Sequence, residues 1–336
     1  MRKETIPAER LTLRQHDNTP WRLGMDSWQV IRRAAWITRR YPTLWPFGFL
    51  VVLIGGAAAY PQLFLVVLRW SLPVESSTAS LSLPGGSLAA VLALAAWLGA
   101  AAVASYLSEG AMVRMVGEIE RSGLASIEQG VRAAWGCLTA VLRIALLTGL
   151  PVGIVFAQCS APAALPFLWP SPEASAITEV ICSLWPMAAL VTLPLAAAMN
   201  PPYEFILRRC LLEGRPAGAA IREGPRLLRR SLGRAAPLWL TLLGAGLAAG
   251  LLLTLLNLLG LFAVIRVAST LWAAWHSLAA ATLSALPCFL LLVVAFSFLH
   301  GLYLVFYSAA WTVAYHAVTE SEEAATPLPT LVLLRA

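Results

Sequence analysis

Few side chains in this sequence pair reactive chemistry with an unusual setting. His300 lies near the centre of a long apolar run, one turn from Ser297 and Tyr303. An ionisable group in hydrocarbon is costly, so it raises a hypothesis of a proton relay or a ligand contact. The plainer alternative is a neutral imidazole hydrogen-bonded to a neighbouring helix. Asn257, in another apolar run, is expected to bond across helices. Arg143 stands about a turn and a half inside its run, close enough for its stem to carry the guanidinium to the headgroups. No Asp or Glu lies at mid-run depth to complete a relay, which argues against a proton-driven antiporter.

Motifs for other chemistries are missing. There is no GxxxxGK[ST] phosphate loop, no HExxH and no GxSxG. His16, His276, His300 and His316 are scattered. Cys137, Cys159, Cys182, Cys210 and Cys288 form no CxxC pair, so a zinc site or a disulfide framework is not expected. The sequence therefore assigns no catalytic residue, no cofactor and no metal, and the expectation is a protein that is not an enzyme.

The elements around these residues are dictated by composition. Of the 336 residues, 59% are hydrophobic and only 12% charged, with mean hydropathy +0.74. A soluble domain carries about a quarter charged residues. Spans are expected over 44–68, 88–107, 137–158, 177–199, 237–265 and 286–312, each near the roughly 20 residues needed to cross a bilayer. None shows the alternation of a barrel strand. The fold class is all-α, a polytopic membrane helix bundle of six transmembrane helices with amphipathic cytoplasmic interfacial helices. The first apolar run begins at Leu44 with no small-residue cleavage site before it, so the first helix is expected to remain as a signal-anchor.

Arginine sets the orientation. Of the 24 Lys and Arg residues, 21 fall in 1–43, 108–136, 200–236 and the C-terminal tail, all on one side of a six-span layout. The positive-inside rule then places both termini in the cytoplasm of a bacterial inner membrane. The net charge of +7 comes without a zinc-finger or aromatic-basic sheet signature, so no nucleic acid is expected. The expected partner is a bilayer with anionic headgroups, at roughly 1 kcal/mol per surface arginine.

A basic segment recurs before the odd-numbered spans. In 26–41, Asp26 and Gln29 resemble a capping box. Trp28, Ile31 and Ala35 share one helical face, with Arg32, Arg33, Arg39 and Arg40 largely on another. In 217–234, Ile221, Leu228 and Leu232 form the apolar stripe and Arg222, Arg226, Arg229 and Arg230 the basic one. These eight arginines are the candidate headgroup or partner contacts. The pairs Glu204/Arg208 and Arg209/Glu213, followed by Gly214-Arg215-Pro216, make 200–236 a helix–turn–helix hairpin on the cytoplasmic face. Ile127-x-x-Gly130 parallels Ile221-x-x-Gly224, and GxxxG pairs occur at Gly149/Gly153 and Gly246/Gly250.

Outside the spans, 1–20 is expected to be a flexible cytoplasmic tail, 71–86 an external loop, 160–176 an outer connector and 317–336 a second flexible tail, leaving 21–316 as one membrane domain. Residues 267–284 read either as an interfacial segment or as a short seventh span. Pro61, Pro151, Pro186 and Pro194 are expected to kink their helices, and Pro186 with Pro194 to open a lateral cavity.

Three stretches carry a resemblance: Arg39-Arg40-x-Pro42-x-Leu44-Trp45-Pro46-Phe47-Gly48, the Ile-x-x-Gly segments, and Ser308-x-x-Trp311-Thr312-x-x-x-Tyr315. Across 21–316 the layout resembles uncharacterised six-helix bacterial integral membrane proteins related to the membrane domain fused to some glycerophosphodiester phosphodiesterases. That resemblance implies a fold and no catalytic residues, since the phosphodiesterase barrel is absent from this sequence. A second similarity, to permease subunits of ABC transporters, rests on Ala220-Ile221-Arg222-Glu223-Gly224 and Ser126-Ile127-Glu128-Gln129-Gly130, which lack the full Glu-Ala-Ala triplet. The functional expectation is a non-enzymatic scaffold or assembly factor with a cytoplasmic or membrane protein partner. The alternative is a permease subunit working with a separate cytoplasmic ATPase. A lipid-modifying reaction at His300 and Tyr303 is the remaining enzyme-class alternative.

Overall fold

The computed structural model describes residues 27–56, 60, 88–168 and 172–325. All the regular structure among them is helical. Helix α1 spans Ser27–Arg40. It stops at Tyr41 because the following Pro42 disfavours helical backbone in the residue before it. A 3-10 turn, Pro42–Leu44, leads into α2, Trp45–Gly55. Helices α3 (Leu88–Ser122) and α4 (Ile127–Leu168) follow, then α5 (Pro172–Glu213) and α6 (Ala217–Arg230). The long helices α7 (Leu232–Trp275) and α8 (Leu278–Ala325) complete the chain. Gly123 (φ +71°) and Gly214 (φ +69°) end α3 and α5 in left-handed backbone that a side chain would strain.

Three segments are apolar and long enough to cross a bilayer: Ile127–Gly149, Ala235–Trp275 and Ala280–Glu320. At 1.5 Å per residue the two 41-residue segments measure roughly 60 Å, about twice the hydrocarbon thickness. Expected spans 88–107 and 177–199 are continuous helix inside α3 and α5. Expected span 44–68 is described only to Gly56 and at Tyr60.

Several expectations are corrected. Most of the 160–176 connector is helix, since α4 runs to Leu168 and α5 starts at Pro172. Residues 267–284 are not one short seventh span. They are the ends of α7 and α8, joined at His276 in left-handed backbone (φ 46°). Residues 317–325 are helical rather than part of a flexible tail. The tail 1–20, loop 71–86 and Pro61 lie outside the described residues.

Helix α8 is the hub, packing against α1, α2, α3 and α7. The larger core lies at the arginine-rich end. There Val30, Ala34 and Ile37 of α1 join Met115 of α3, Phe205 and Leu211 of α5, Leu227 of α6, and Trp311 and Tyr315 of α8. Phe205 meets Trp311 and Tyr315 edge-on, with ring centroids 6.1 and 5.8 Å apart. A smaller core joins Val264 and Ala268 of α7 to Ala285, Phe289 and Val293 of α8. Along α7, Leu247, Leu251, Leu252, Leu255, Leu258 and Leu259 point outward. Such a face suits lipid, which is as apolar as leucine itself.

Helix α2 crosses α8 backbone against backbone. A Cβ placed on Gly48 would lie 2.3 Å from the Gly301 carbonyl oxygen, and one on Gly301 would lie 2.6 Å from the Phe49 nitrogen. Among the described GxxxG glycines, Gly149, Gly246 and Gly250, none makes a crossing this close. Nothing would meet a Cβ on Gly149 or Gly250, and Gly246 abuts only the Tyr303 hydroxyl.

Candidate functional site: a buried ion cluster at the arginine-rich end

Glu204 and Arg208 are one turn apart, and their ion pair is buried. Helix α5 does not stop near the end of its apolar stretch. It continues to Glu213 and carries this pair into the larger core, between α3 and α8. Arg208 is only 1% exposed and Glu204 5%. Charges this deep need bonded partners, and each guanidinium nitrogen of Arg208 has at least one. One terminal nitrogen donates to the Glu204 carboxylate and to the Glu204 carbonyl at 3.1 Å. The other donates to the Ser308 carbonyl at 2.9 Å, and Nε to the Thr312 hydroxyl at 3.2 Å. Thr312 in turn donates to the Ser308 carbonyl at 2.8 Å. Of the spaced residues that close the last apolar run, Ser308 and Thr312 are thus what α8 gives this cluster, while Trp311 and Tyr315 pack on Phe205 beside it.

A second carboxylate stands beside the first. Glu109 of α3 accepts long bonds from the Tyr203 hydroxyl, at 3.5 and 3.4 Å to its two oxygens. Part of its surface opens outward, yet protein surrounds the carboxyl closely. Loss of solvation pushes its pKa up to about 7, and the neighbouring Glu204 charge adds to the rise. The Arg208 charge and the Tyr203 bond oppose it. Burial first, then the charges of Glu109 and Glu204, hold the Tyr203 phenol well above its ordinary value.

Further bonds tie the helices of this end together. Tyr307 donates to Asn200, and Tyr315 to Glu213. Arg209 pairs with Glu223 at 2.9 Å and with Glu213 at 3.5 Å, fixing α6 to α5. Arg33 pairs with Glu120 at 2.9 Å, and the Tyr41 hydroxyl donates to the Gly123 carbonyl at 2.9 Å, fixing α1 to α3. Gly224 packs against the Ile206 backbone and Gly130 against Met115 and Ala111. The Ile-x-x-Gly echo is therefore a close contact with the preceding helix. In both copies the residue met stands eight positions before the glycine that ends that helix (Met115 before Gly123, Ile206 before Gly214). Burial pushes the Cys210 thiol up to about 11, with Cys137 adding to the rise. That keeps it protonated and a poor nucleophile.

The arginines singled out in the sequence divide. Arg33 is partly buried, pairs through Nε with Glu120 and stacks over Trp36 at 4.6 Å. Arg32, Arg39, Arg40, Arg222, Arg226, Arg229 and Arg230 are exposed. The buried face of α1 is Val30, Ala34 and Ile37, with Ile31 partly buried against the same core, whereas Trp28 and Ala35 are exposed. Trp28 lies on the open face with Arg32 5.9 Å from its ring. On α6, Leu228 is buried as expected, together with Ala220, Gly224 and Leu227, while Leu232 is 49% exposed.

Of the intramembrane candidates His300, Tyr303 and Asn257, the first two lie together. His300 meets Phe296 edge-on at 5.9 Å and Tyr303 at 6.5 Å. Ser297 is turned away to bond Tyr60 at 3.0 Å. Asn257 is half-buried and hydrogen-bonds to no described residue. In the antiparallel α7–α8 pair, Tyr303 lies against Gly246 and Leu292 against Gly260. That register puts Asn257 well away from His300. Among the described residues, no three His, Cys, Asp or Glu side chains converge as metal ligands.

The chain matches no family model, no curated protein and no solved structure. What its architecture defines is a membrane-type helical protein with a cross-braced, arginine-rich end.

Proposed function

We propose that the protein is a non-enzymatic scaffold or assembly factor of a bacterial inner membrane, with six spans and both termini cytoplasmic. One observation carries this reading. The exposed arginines of α1 and α6 stand on helices braced to the packed core by Arg33–Glu120 and Arg209–Glu223. A braced basic surface suits holding an anionic membrane face or an acidic partner, since little order is lost on binding. The resemblance to six-helix membrane domains supports the same architecture.

Gentle extraction and native mass spectrometry test the reading. The wild type should retain anionic phospholipid and co-purify with a protein partner. A variant with Arg39, Arg40, Arg226 and Arg229 changed to Gln should lose much of both. A purified protein that turned over a lipid or solute unaided would remove the proposal.

The α5–Gly214–α6 hairpin favours a second reading, a permease subunit, because Arg209–Glu223 would transmit force from a cytoplasmic ATPase into α5. Co-purification of an ATPase, lost when the exposed Arg222 and Arg226 of α6 are changed to Glu, would establish it over the first.

A further inference from the structure

The buried cluster holds two carboxylates and one guanidinium. Arg208 is already committed: its terminal nitrogens go to Glu204 and the Ser308 carbonyl, and its Nε to Thr312. Its charge is matched by Glu204. Glu109 has no cation bonded to it, and its bonding partner, Tyr203, is a neutral phenol. The groups that face it are Tyr106 on its own helix and Tyr203, Glu204 and Arg208 on α5. On α8, Tyr307 lies near enough to Glu204 and Arg208 to sense both charges. Thr312 and Ser308 offer the guanidinium only a hydroxyl and a carbonyl from α8. With both carboxylates ionised, Glu109 faces the like charge of Glu204 with no cation bonded to it, because Arg208 is bonded to Glu204. One proton on Glu109 removes that repulsion.

We propose that Glu109 is a single-proton site which, when occupied, locks α3 against α5, and which loosens that junction when the proton leaves. No bond to the rest of the molecule has to break first, because Glu109 makes only the long contacts to Tyr203. The carboxyl value of about 7 sets the midpoint near neutral pH. Between about pH 4.5 and about pH 7 the folded protein holds a proton that the unfolded chain has released, so stability falls as pH rises through that window and levels off above it. The inference holds whatever the arginine-rich end docks.

Infrared titration of the full chain in nanodiscs tests this directly. A protonated-carboxyl band should disappear with a midpoint near pH 7 in the wild type and be missing from Glu109→Gln. Glu204→Gln frees Arg208 to serve Glu109, so there the midpoint should move at least one pH unit toward acid. Amide exchange along 106–116 should rise severalfold in the wild type from about pH 6 to about pH 8 and stay flat in Glu109→Gln. A titrating band that persists in Glu109→Gln, or an unmoved midpoint in Glu204→Gln, would overturn the proposal. So would a midpoint that follows sodium against choline, which would mean that a metal cation rather than a proton fills the site.

Discussion

Replacing Arg208 by Met keeps most of the side-chain volume and removes the one positive charge of the buried cluster. Glu204, 5% exposed, is left without its counterion. Thr312 and the Ser308 carbonyl each lose a bonding partner. Breaking a buried pair from one side costs about 3–5 kcal/mol, which is roughly two to three and a half decades in the folding equilibrium at about 1.4 kcal/mol per decade. Adding Glu204→Gln removes the stranded charge, and a buried pair replaced on both sides is often neutral or better. The double variant should therefore recover most of the loss. The assay is thermal unfolding in one detergent at about pH 6, where Glu109 holds its proton, with Arg208→Met, Glu204→Gln and the double variant compared in a cycle. An Arg208→Met protein that melts with the wild type would refute the electrostatic account. So would a double variant no more stable than the single, because the loss would then come from packing.

Three other outcomes are expected. Gly301→Val should separate α2 from α8, since even a Cβ there would lie 2.6 Å from backbone; disulfide trapping between cysteines placed on the two helices should fall sharply. Gly224→Leu should detach α6 from α5, because a Cβ at that position would already stand 3.0 Å from the Ile206 backbone. The 217–230 segment should then open to protease, whereas Gly233→Ala, with open space around it, should leave it protected. Glu120→Gln removes the partner of Arg33 and should cost about 1 kcal/mol or less, because that pair is partly open to solvent; a larger drop in melting temperature than Arg208→Met gives would contradict the ranking.

Membrane class and arginine-rich segments were legible because they depend on composition and run length. The break at Gly214-Arg215-Pro216 was legible because turn chemistry is local. Which face of a helix is buried was not. In α1, Trp28, Ile31 and Ala35 form as good an apolar stripe as Val30, Ala34 and Ile37, and only the position of α8 decides between them. The same ambiguity holds for any helix whose outer face meets lipid, where hydropathy cannot separate inside from outside. Glu204 and Arg208 were visible as a pair one turn apart, but that spacing is the commonest of surface pairs. Their burial follows from α5 running on between α3 and α8, a long-range fact. Glu109 gave a weaker signal, a lone acid just beyond an apolar run. Gly48 and Gly301 carry no local pattern at all, since each is a single glycine and the crossing exists only between helices.

A single body whose arginine-rich end faces the cytosol underlies both the proposed docking surface and its bracing. In a cysteine-free background, Arg222→Cys and Trp275→Cys sit at exposed positions near opposite ends of the bundle. Labelling with a membrane-impermeant maleimide in intact spheroplasts should mark Trp275→Cys and spare Arg222→Cys until the membrane is opened. Arg222→Cys labelled before permeabilisation, or recovery of the protein in a detergent-free soluble fraction, would contradict that orientation.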